Sequence, residues 1–475
     1  MKQKIIWVLG IMLAFQPGKI ISQEKWSLEK CIQHALENNI TVKQQELNTQ
    51  YQENALFQSK MSILPSFNAS GGYSASYGRA LDQTTYQFTN NQTIKSINAS
   101  LSGNMTLFNG LQKYNLIREN RFNLLSSLKD LEKLRNDISL NVASAYLQIL
   151  FSMELVQNAQ SQLDVTKLQV DRTSKLVDAG SLPMGNLLEV QSQQASEDLQ
   201  LTTYQNQLDI AYLTLTQMLE LDSVGNFKIE VPDFSKIGDE EILSNVNEIF
   251  SDALNSLPQI SSAEYKLKSS EAALAVARGA MSPRLYISTS YGSGYSDVRK
   301  KTYLTGGTIS YPIGVTASGE TVTTLPEPAT ALTDYPLNMQ LRDNKSTTVM
   351  VGLSIPIFNG WQVRSNISNS KIGVLNSQYS LDNTRKLLYK DIQQAYADAV
   401  ASIKKYKSTE KALSSMRESF KYTEQKYEVG MITTVDYYTA KNQLAMTESN
   451  LLQAKYDYIF KRSILDFYRG RQLKL

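Results

Sequence analysis

Apolar and polar positions along the chain follow two periods, and each period appears twice, in the same order. From Phe67 to Tyr77 the residues alternate: Phe67, Ala69, Gly71, Tyr73, Ala75 and Tyr77 fall on one face, and Asn68, Ser70, Gly72, Ser74 and Ser76 on the other. A period of two marks a strand. Ile97 to Leu107 alternates in the same way. After Phe108-Asn109-Gly110 the period lengthens: Leu124, Leu128, Leu131, Ile138, Val142, Ala145 and Ile149 step by threes, fours and one seven, a heptad-like seam on a long helix. The order then recurs. Leu285, Ile287, Thr289 and Tyr291 alternate with Tyr286, Ser288 and Ser290; Thr347 to Ile357 alternates; Phe358-Asn359-Gly360 opens a second long stretch without proline.

The offsets between the copies are constant over long spans. The Phe-Asn-Gly triplets lie 250 residues apart, as do Gly180 and Gly430, where the long stretches end. Pro65 and Pro283, which stop the helical runs Trp26–Met61 and Ile249–Met281, lie 218 apart, as do Ala35 and Ala253. The second half therefore carries 32 extra residues, placed in Gly292–Ser346, a loop rich in Gly, Pro, Thr and Ser. A fixed offset means a duplicated architecture. A helix over 110–179 is roughly 100 Å long at 1.5 Å per residue, beyond an ordinary globular helix, so it belongs to a coiled coil, a solenoid or a duct wall. Gly180 and Pro183 end it. The return arms carry their own seams, Tyr204, Leu208, Ala211, Leu215 and Met218 in one, and Tyr437, Ala440, Leu444, Thr447, Leu451, Ala454 and Tyr458 in the other. Long helices joined by a few residues lie antiparallel, which puts Gly180 and Gly430 at hairpin tips.

The predicted organisation is a signal peptide over 1–22; a first repeat over 23–220, with strands about 66–77 and 97–108, a long helix 110–179 and a tip 180–186; a linker or equatorial element over 221–248; a second repeat over 249–470, with strands about 284–295 and 347–358, a long helix 360–429 and a tip 430–436; and a tail over 471–475. The Phe-Asn-Gly triplets are strand-to-helix junctions, where glycine lets the chain bend, with Asn359 as a candidate N-cap.

Composition narrows the function. The chain has 475 residues, a formal charge of +3 and a mean hydropathy of −0.30. Lys2 and Lys4 precede the apolar run Ile5–Phe15, the pattern of a secretory signal. Near-neutral charge excludes nucleic acid as a partner; the 26 tyrosines suit barrel rims and helix seams. Cys31 is the only cysteine, so there is no intramolecular disulfide; Leu28-Glu29-Lys30 before it lacks the small residues of a lipoprotein signal, which makes Cys31 a buried small residue. The one histidine, His34, reads as an exposed side chain. No metal-ligand cluster and no phosphate-binding loop occurs, so no catalytic, cofactor or metal residue is assigned and no enzyme is expected. No apolar run beyond the N-terminus approaches the roughly 20 residues of a membrane helix, but strands can cross a membrane on a much weaker signal. Four strands cannot close a barrel, and lipid tolerates no open edge, so membrane strands here require several chains: two for eight strands, three for twelve.

At this point the chain resembles the outer membrane efflux protein family, the TolC-like channel-tunnels. The resemblance covers essentially the whole mature chain and rests on the duplication, the two junction triplets, Pro65 and Pro283 before the first strand of each half, and the tips. The second tip, Tyr427-Glu428-Val429-Gly430-Met431-Ile432-Thr433-Thr434-Val435-Asp436, is similar to the family's pattern of Val-Gly followed five residues later by Val-Asp; Ala179-Gly180-Ser181-Leu182-Pro183 is a looser match. The resemblance implies an α+β membrane protein, a homotrimer with one twelve-stranded barrel in the Gram-negative outer membrane, continued by a coiled-coil α-helical tunnel through the periplasm. It implies docking on a periplasmic adaptor (membrane fusion) protein and an inner-membrane pump of RND or ABC type, and contact with outer-membrane lipid. It places gate and aperture roles on Tyr427, on Asn186 (an aspartate in the family) and on Asp436, with Thr439 where the family has a second aspartate. It places adaptor docking on Gly180, Ser181, Leu182, Gly430, Met431 and Ile432. The competing reading is a secreted or surface trimeric coiled-coil protein for adhesion or scaffolding, which explains the seams and leaves the paired strands unexplained.

Overall fold

The computed structural model describes residues 25–81, 88–222, 227–232 and 245–471. The expected signal segment 1–22, Gly225 and Gly238 of the linker and all but Arg471 of the tail lie outside them. In chain order the helices are α1 (Leu28–Asn38), α2 (Ile40–Met61), α3 (Gln112–Asp178), α4 (Met184–Met218), α5 (Val246–Ser256), α6 (Pro258–Gly279), α7 (Leu337–Asp343), α8 (Gln362–Glu428) and α9 (Thr434–Tyr468). The strands are β1 (Ser66–Leu81), β2 (Phe88–Phe108), β3 (Arg284–Ser296), β4 (Lys300–Ile309), β5 (Pro312–Val315), β6 (Thr321–Thr323), β7 (Glu327–Asp334) and β8 (Ser346–Ser354). Two compact units form, and each draws on both halves of the sequence. One takes the described residues up to Tyr51, Leu124–Lys266 and those from Gln378 on; the other takes Gln52–Asn123 and Leu267–Ser377.

The second unit holds an antiparallel sheet of order β1-β2-β3-β8. Its register keeps the faces apart. The pairs Ser66 with Asn104, Thr106 with Tyr286, and Arg284 with Ser354 lie on one face; Leu101 with Tyr291, Ile287 with Val351, and Leu285 with Leu353 lie on the other. The apolar face is open, with Phe67, Tyr73, Tyr77, Val349, Val351 and Leu353 each more than 60% exposed. β1 and β8 are edges with one neighbour each.

Several boundaries differ from the expected ones for identifiable reasons. β1 and β2 extend past 77 and before 97 as one long hairpin through a bulge at Gly78/Ala80, because ladder hydrogen bonds need no alternation of side chains. β8 stops at Ser354 rather than 358, since Pro356 has no N–H to give the ladder. The loop 292–346 carries two further hairpins, β4 with β7 and β5 with β6, and α7. The helical run from Trp26 breaks at Asn39, and that from Ile249 breaks at Leu257, before Pro258. The long helices begin at Gln112 and Gln362, two residues late. Gly110 and Leu111 have φ of +63° and +61°, and Gly360 and Trp361 of +60° and +69°, a left-handed pair that cannot be helical. Asn359 is therefore no N-cap; its carbonyl accepts from Gln362 N at 3.2 Å in a backbone turn.

Two larger hydrophobic clusters and two smaller ones lie in the first unit among the described residues. One of the larger joins α1, α3, α4 and α9 through Leu28, Cys31, Val142, Ile149, Leu215 and Ile459. Trp26 bridges the segment around Ile229, and the Tyr146 hydroxyl reaches the Glu230 carbonyl at 2.6 Å. Cys31 is fully buried, which pushes its thiol up to about 12. His34, expected to be exposed, is half-buried edge-on to Trp26 at 5.0 Å. The other larger cluster joins α5, α6, α8 and α9 around Ile249, Ala253, Leu388, Ile392 and Leu465. One stretch of α3 is apolar enough over 18 residues to pass for a membrane span, and half of it is buried; the buried residues of α3 include Val142, Tyr146, Ile149, Leu150 and Leu155.

Candidate functional site

The hairpin turns that join α3 to α4 and α8 to α9 gather the candidate residues. Both turns are closed by the same bonds. Gly180 N donates to Val177 O (2.9 Å) and Ser181 N to Leu176 O (2.8 Å); Gly430 N donates to Tyr427 O (3.0 Å) and Met431 N to Lys426 O (2.8 Å). This is the Schellman arrangement, with glycine at φ of +73° and +76°. The helices they join match in length, 67 and 35 residues in each half.

The return helices start differently. Thr433 and Asp436 form a reciprocal capping box: Asp436 N donates to Thr433 Oγ1 (3.2 Å), while Thr433 N and Oγ1 donate to Asp436 Oδ2 at 3.2 and 2.6 Å. Those two donors hold the Asp436 carboxyl below the usual carboxylate range. At the equivalent place α4 follows Pro183, which has no side chain to cap with.

Among the residues assigned to a gate, Asn186 and Tyr427 do not bond to each other. Asn186 Nδ2 donates to Thr434 Oγ1 at 3.2 Å, tying the start of α4 to the start of α9. Tyr427 stacks on Tyr437, with centroids 4.5 Å apart and an interplanar angle of 19°. Tyr437, Tyr438 and Val190 are buried there, with Phe420 and Ile432 packed against them. Burial pushes the Tyr437 hydroxyl up to about 12 and the Tyr438 hydroxyl higher still. Of the docking residues, Gly180, Ser181, Gly430 and Met431 are exposed, while Leu182 and Ile432 are half-buried. Val429, Val435, Met184 and Leu188 also stand exposed around the same turns.

Sequence reasoning also passed over a buried ion pair beside the tips. Lys441 of α9 donates to Glu197 Oε1 of α4 at 3.0 Å and to Thr166 Oγ1 of α3, and each charged side chain is 9% exposed. Gln193 also donates to Glu197 Oε1 at 3.0 Å. Glu197 Oε2 and the Tyr438 hydroxyl are buried without a partner among the described residues. The signal was position: Lys441 lies four residues after Tyr437 and three before Leu444, directly beside the seam.

The junction residues belong to the sheet unit. Phe108 is 45% exposed and Phe358 80%, and Trp361 stacks with the Arg364 guanidinium at 4.4 Å. A Cβ on Gly110 would clash with Gly279 O and Ser282 Cβ, whereas one on Gly360 would meet nothing within 4 Å. Among the described residues no group of three or more His, Cys, Asp or Glu is placed to hold a metal ion.

Comparison with known proteins places this architecture. TolC of Escherichia coli is 23% identical over 333 residues, 68% of this chain and 59% of TolC, so the aligned stretch spans less than two thirds of that relative. The alkaline protease secretion protein AprF of Pseudomonas aeruginosa is 25% identical over 126 residues, 26% of each chain. The Campylobacter jejuni CmeC outer membrane channel has the same fold, with a TM-score of 0.75 at 16% identity over 93% of this chain and 85% of CmeC. The model of the family described as outer membrane efflux protein matches residues 31–220 and 249–470, the two repeats. The chain belongs to the outer membrane efflux protein family, and its place is the outer membrane.

Proposed function

We propose that the chain is the exit channel of a tripartite efflux or type I secretion system, passing solutes from a periplasmic adaptor and an inner-membrane RND or ABC pump across the outer membrane without hydrolysing anything itself. The observation that carries this reading is the four-stranded sheet, apolar on one open face, polar on the other, and unpaired at both edges. Three copies joined β8 to β1 make a closed twelve-stranded barrel with lipid outside and a polar lumen within, the arrangement a bilayer permits. The open space around Gly360 supports the same assembly. Its counterpart Gly110 is covered by the end of α6, and the repeat leaves Gly360 to be covered by the end of α2 from a second copy. That the relative AprF is a protease secretion protein and the neighbour CmeC an outer membrane channel supports an export role.

Asn186, Thr434, Asp436 and the Tyr427–Tyr437 stack form the gate in this reading, and Gly180, Ser181, Gly430 and Met431, with the exposed Val429 and Val435, form the adaptor surface. A surface adhesin is the second reading; a solvent-exposed apolar sheet face argues against it. The test is reconstitution of the detergent-extracted protein in planar bilayers. A heat-modifiable trimer with discrete conductance is expected, and a detergent-free soluble protein without β signal would overturn the reading. For the gate, Asn186→Ala with Tyr427→Ala is expected to raise single-channel conductance, and unchanged conductance would remove those residues from it.

A further inference from the structure

We propose that the cavity between Lys113 and Arg284 binds an oxyanion of the phosphate class, carried by a solute in the duct. The cavity has a volume of about 620 Å³ beside the first junction, and no aspartate or glutamate lines it. Lys113 stands in the first turn of α3, where the helix dipole disfavours a cation. It donates to the Ser62 carbonyl just past the end of α2, which leaves the charge itself unmatched. Among the described residues Arg284 makes one long side-chain contact, Nη2 to Thr106 Oγ1 at 3.4 Å, which leaves most of its donor fork unused. Partial burial, and then the charge of Arg284, pull the Lys113 pKa down. Two cations facing one another across a polar cavity are an arrangement that an anion relieves. A lysine supplies a point charge and an arginine a planar fork that matches phosphate oxygens.

The position within the sheet selects the source of the anion. Ser66, Asn104, Tyr286 and Ser354 line the cavity on the polar face, the face of Arg284, and Met105 and Ile287 line it from the other face. Arg284 and the hydrogen-bonding sheet residues share the polar face, which favours a solute over a lipid headgroup; that placement rests on the barrel reading above. The site is single in each chain. The residue 250 beyond Lys113 is Val363, and the residue 218 before Arg284 is Ser66, so duplication left no second copy.

The test is calorimetric titration of inorganic pyrophosphate into the full chain in zwitterionic detergent, with sodium chloride of matched ionic strength as the blank. Saturable binding is expected, weakened about tenfold by Arg284→Gln or by Lys113→Gln, as the loss of one charge-assisted bond implies. Lys113→Arg is expected to retain it. Because Arg284 is exposed at a strand end, Arg284→Gln folds and keeps the experiment decisive if Lys113→Gln does not. No saturable heat from the native chain, or equal affinity in Arg284→Gln, overturns the site. Phospholipid phosphorus co-purifying with the native chain and lost in Arg284→Gln would overturn the solute assignment and make the occupant a headgroup. Absence of conductance in planar bilayers would sink the channel reading while leaving the titration to stand or fall by itself.

Discussion

The two halves of the chain bend in the same places and support those bends differently. At the junctions the backbone is the same, a glycine followed by a bulky residue, both left-handed. Yet Gly110 is pressed against the Gly279 backbone, and Gly360 has space around it. At the tips the glycines again match, but α9 begins with the Thr433–Asp436 box, and α4 carries Pro183 and Asn186 at the positions 250 residues earlier. The buried pair is wholly asymmetric. The counterpart of Lys441 is Gln191 and that of Glu197 is Thr447. Duplication preserved the path of the chain, and divergence settled which copy of each bend is packed, capped or charged. The lesson is that the backbone turn is the shared requirement and its side-chain support is local.

The ion pair gives the largest expected effect. Lys441→Ala leaves Glu197 buried with its charge unmatched and is expected to cost about 3–5 kcal/mol of stability in denaturant unfolding. Giving the site what the other half carries, Lys441→Gln with Glu197→Thr, is expected to recover most of that loss, since removing both charges removes the penalty. A double variant no better than the single one would show that the asymmetry is not electrostatic. Next comes Gly110→Ala, at about 3 kcal/mol, from left-handed backbone strain and overpacking against Gly279 O together. Gly360→Ala carries the backbone strain alone, about 1–2 kcal/mol. Thermal melting of both in detergent checks the ranking. Equal losses would mean that assembly covers Gly360 as tightly as the chain covers Gly110.

The smallest effect separates the tips by pH. Asp436 is more acidic in the folded chain than unfolded, so its contribution is complete above the ordinary carboxylate pKa of about 3.9 and is lost as pH falls through the lower folded value. The start of α9 is expected to lose amide-exchange protection on acidification through that window, and the start of α4, with a neutral Asn186, is not. Parallel loss at both would dissociate the effect from Asp436.

Much of the sheet was legible because alternation and burial act together. Phe67 to Tyr77 separates apolar from polar residues without an exception. The outer part of the β1–β2 hairpin was not, because the register shifts between Gly78 and Ala80 and the sequence Thr89-Asn90-Asn91-Gln92-Thr93 has no apolar residue to set a period. The hairpins β4–β7 and β5–β6 were missed for a related reason: nearly all their residues are exposed, so nothing selects a period. The tip glycines were plain in the sequence, since few other residues tolerate their φ. What Asn186 and Tyr427 touch was not. Asn186 meets Thr434 and Tyr427 meets Tyr437, contacts between helices that no spacing within one helix specifies. Lys441 was hidden by its type, because a lysine on a polar-looking helix reads as a solvated charge.

The matched helices, 67 residues against 67 and 35 against 35, set a rule for how such a chain can evolve. One residue inserted in a long helix turns every later side chain by about 100° and advances it about 1.5 Å. It would dislocate that hairpin's seam while its sister stayed in step, so a viable change of length must strike both copies at once. The segment between β3 and β8 is under no such coupling and has already grown by 32 residues. New surface specificity can therefore be added there piecemeal, whereas helix length is inherited as one quantity.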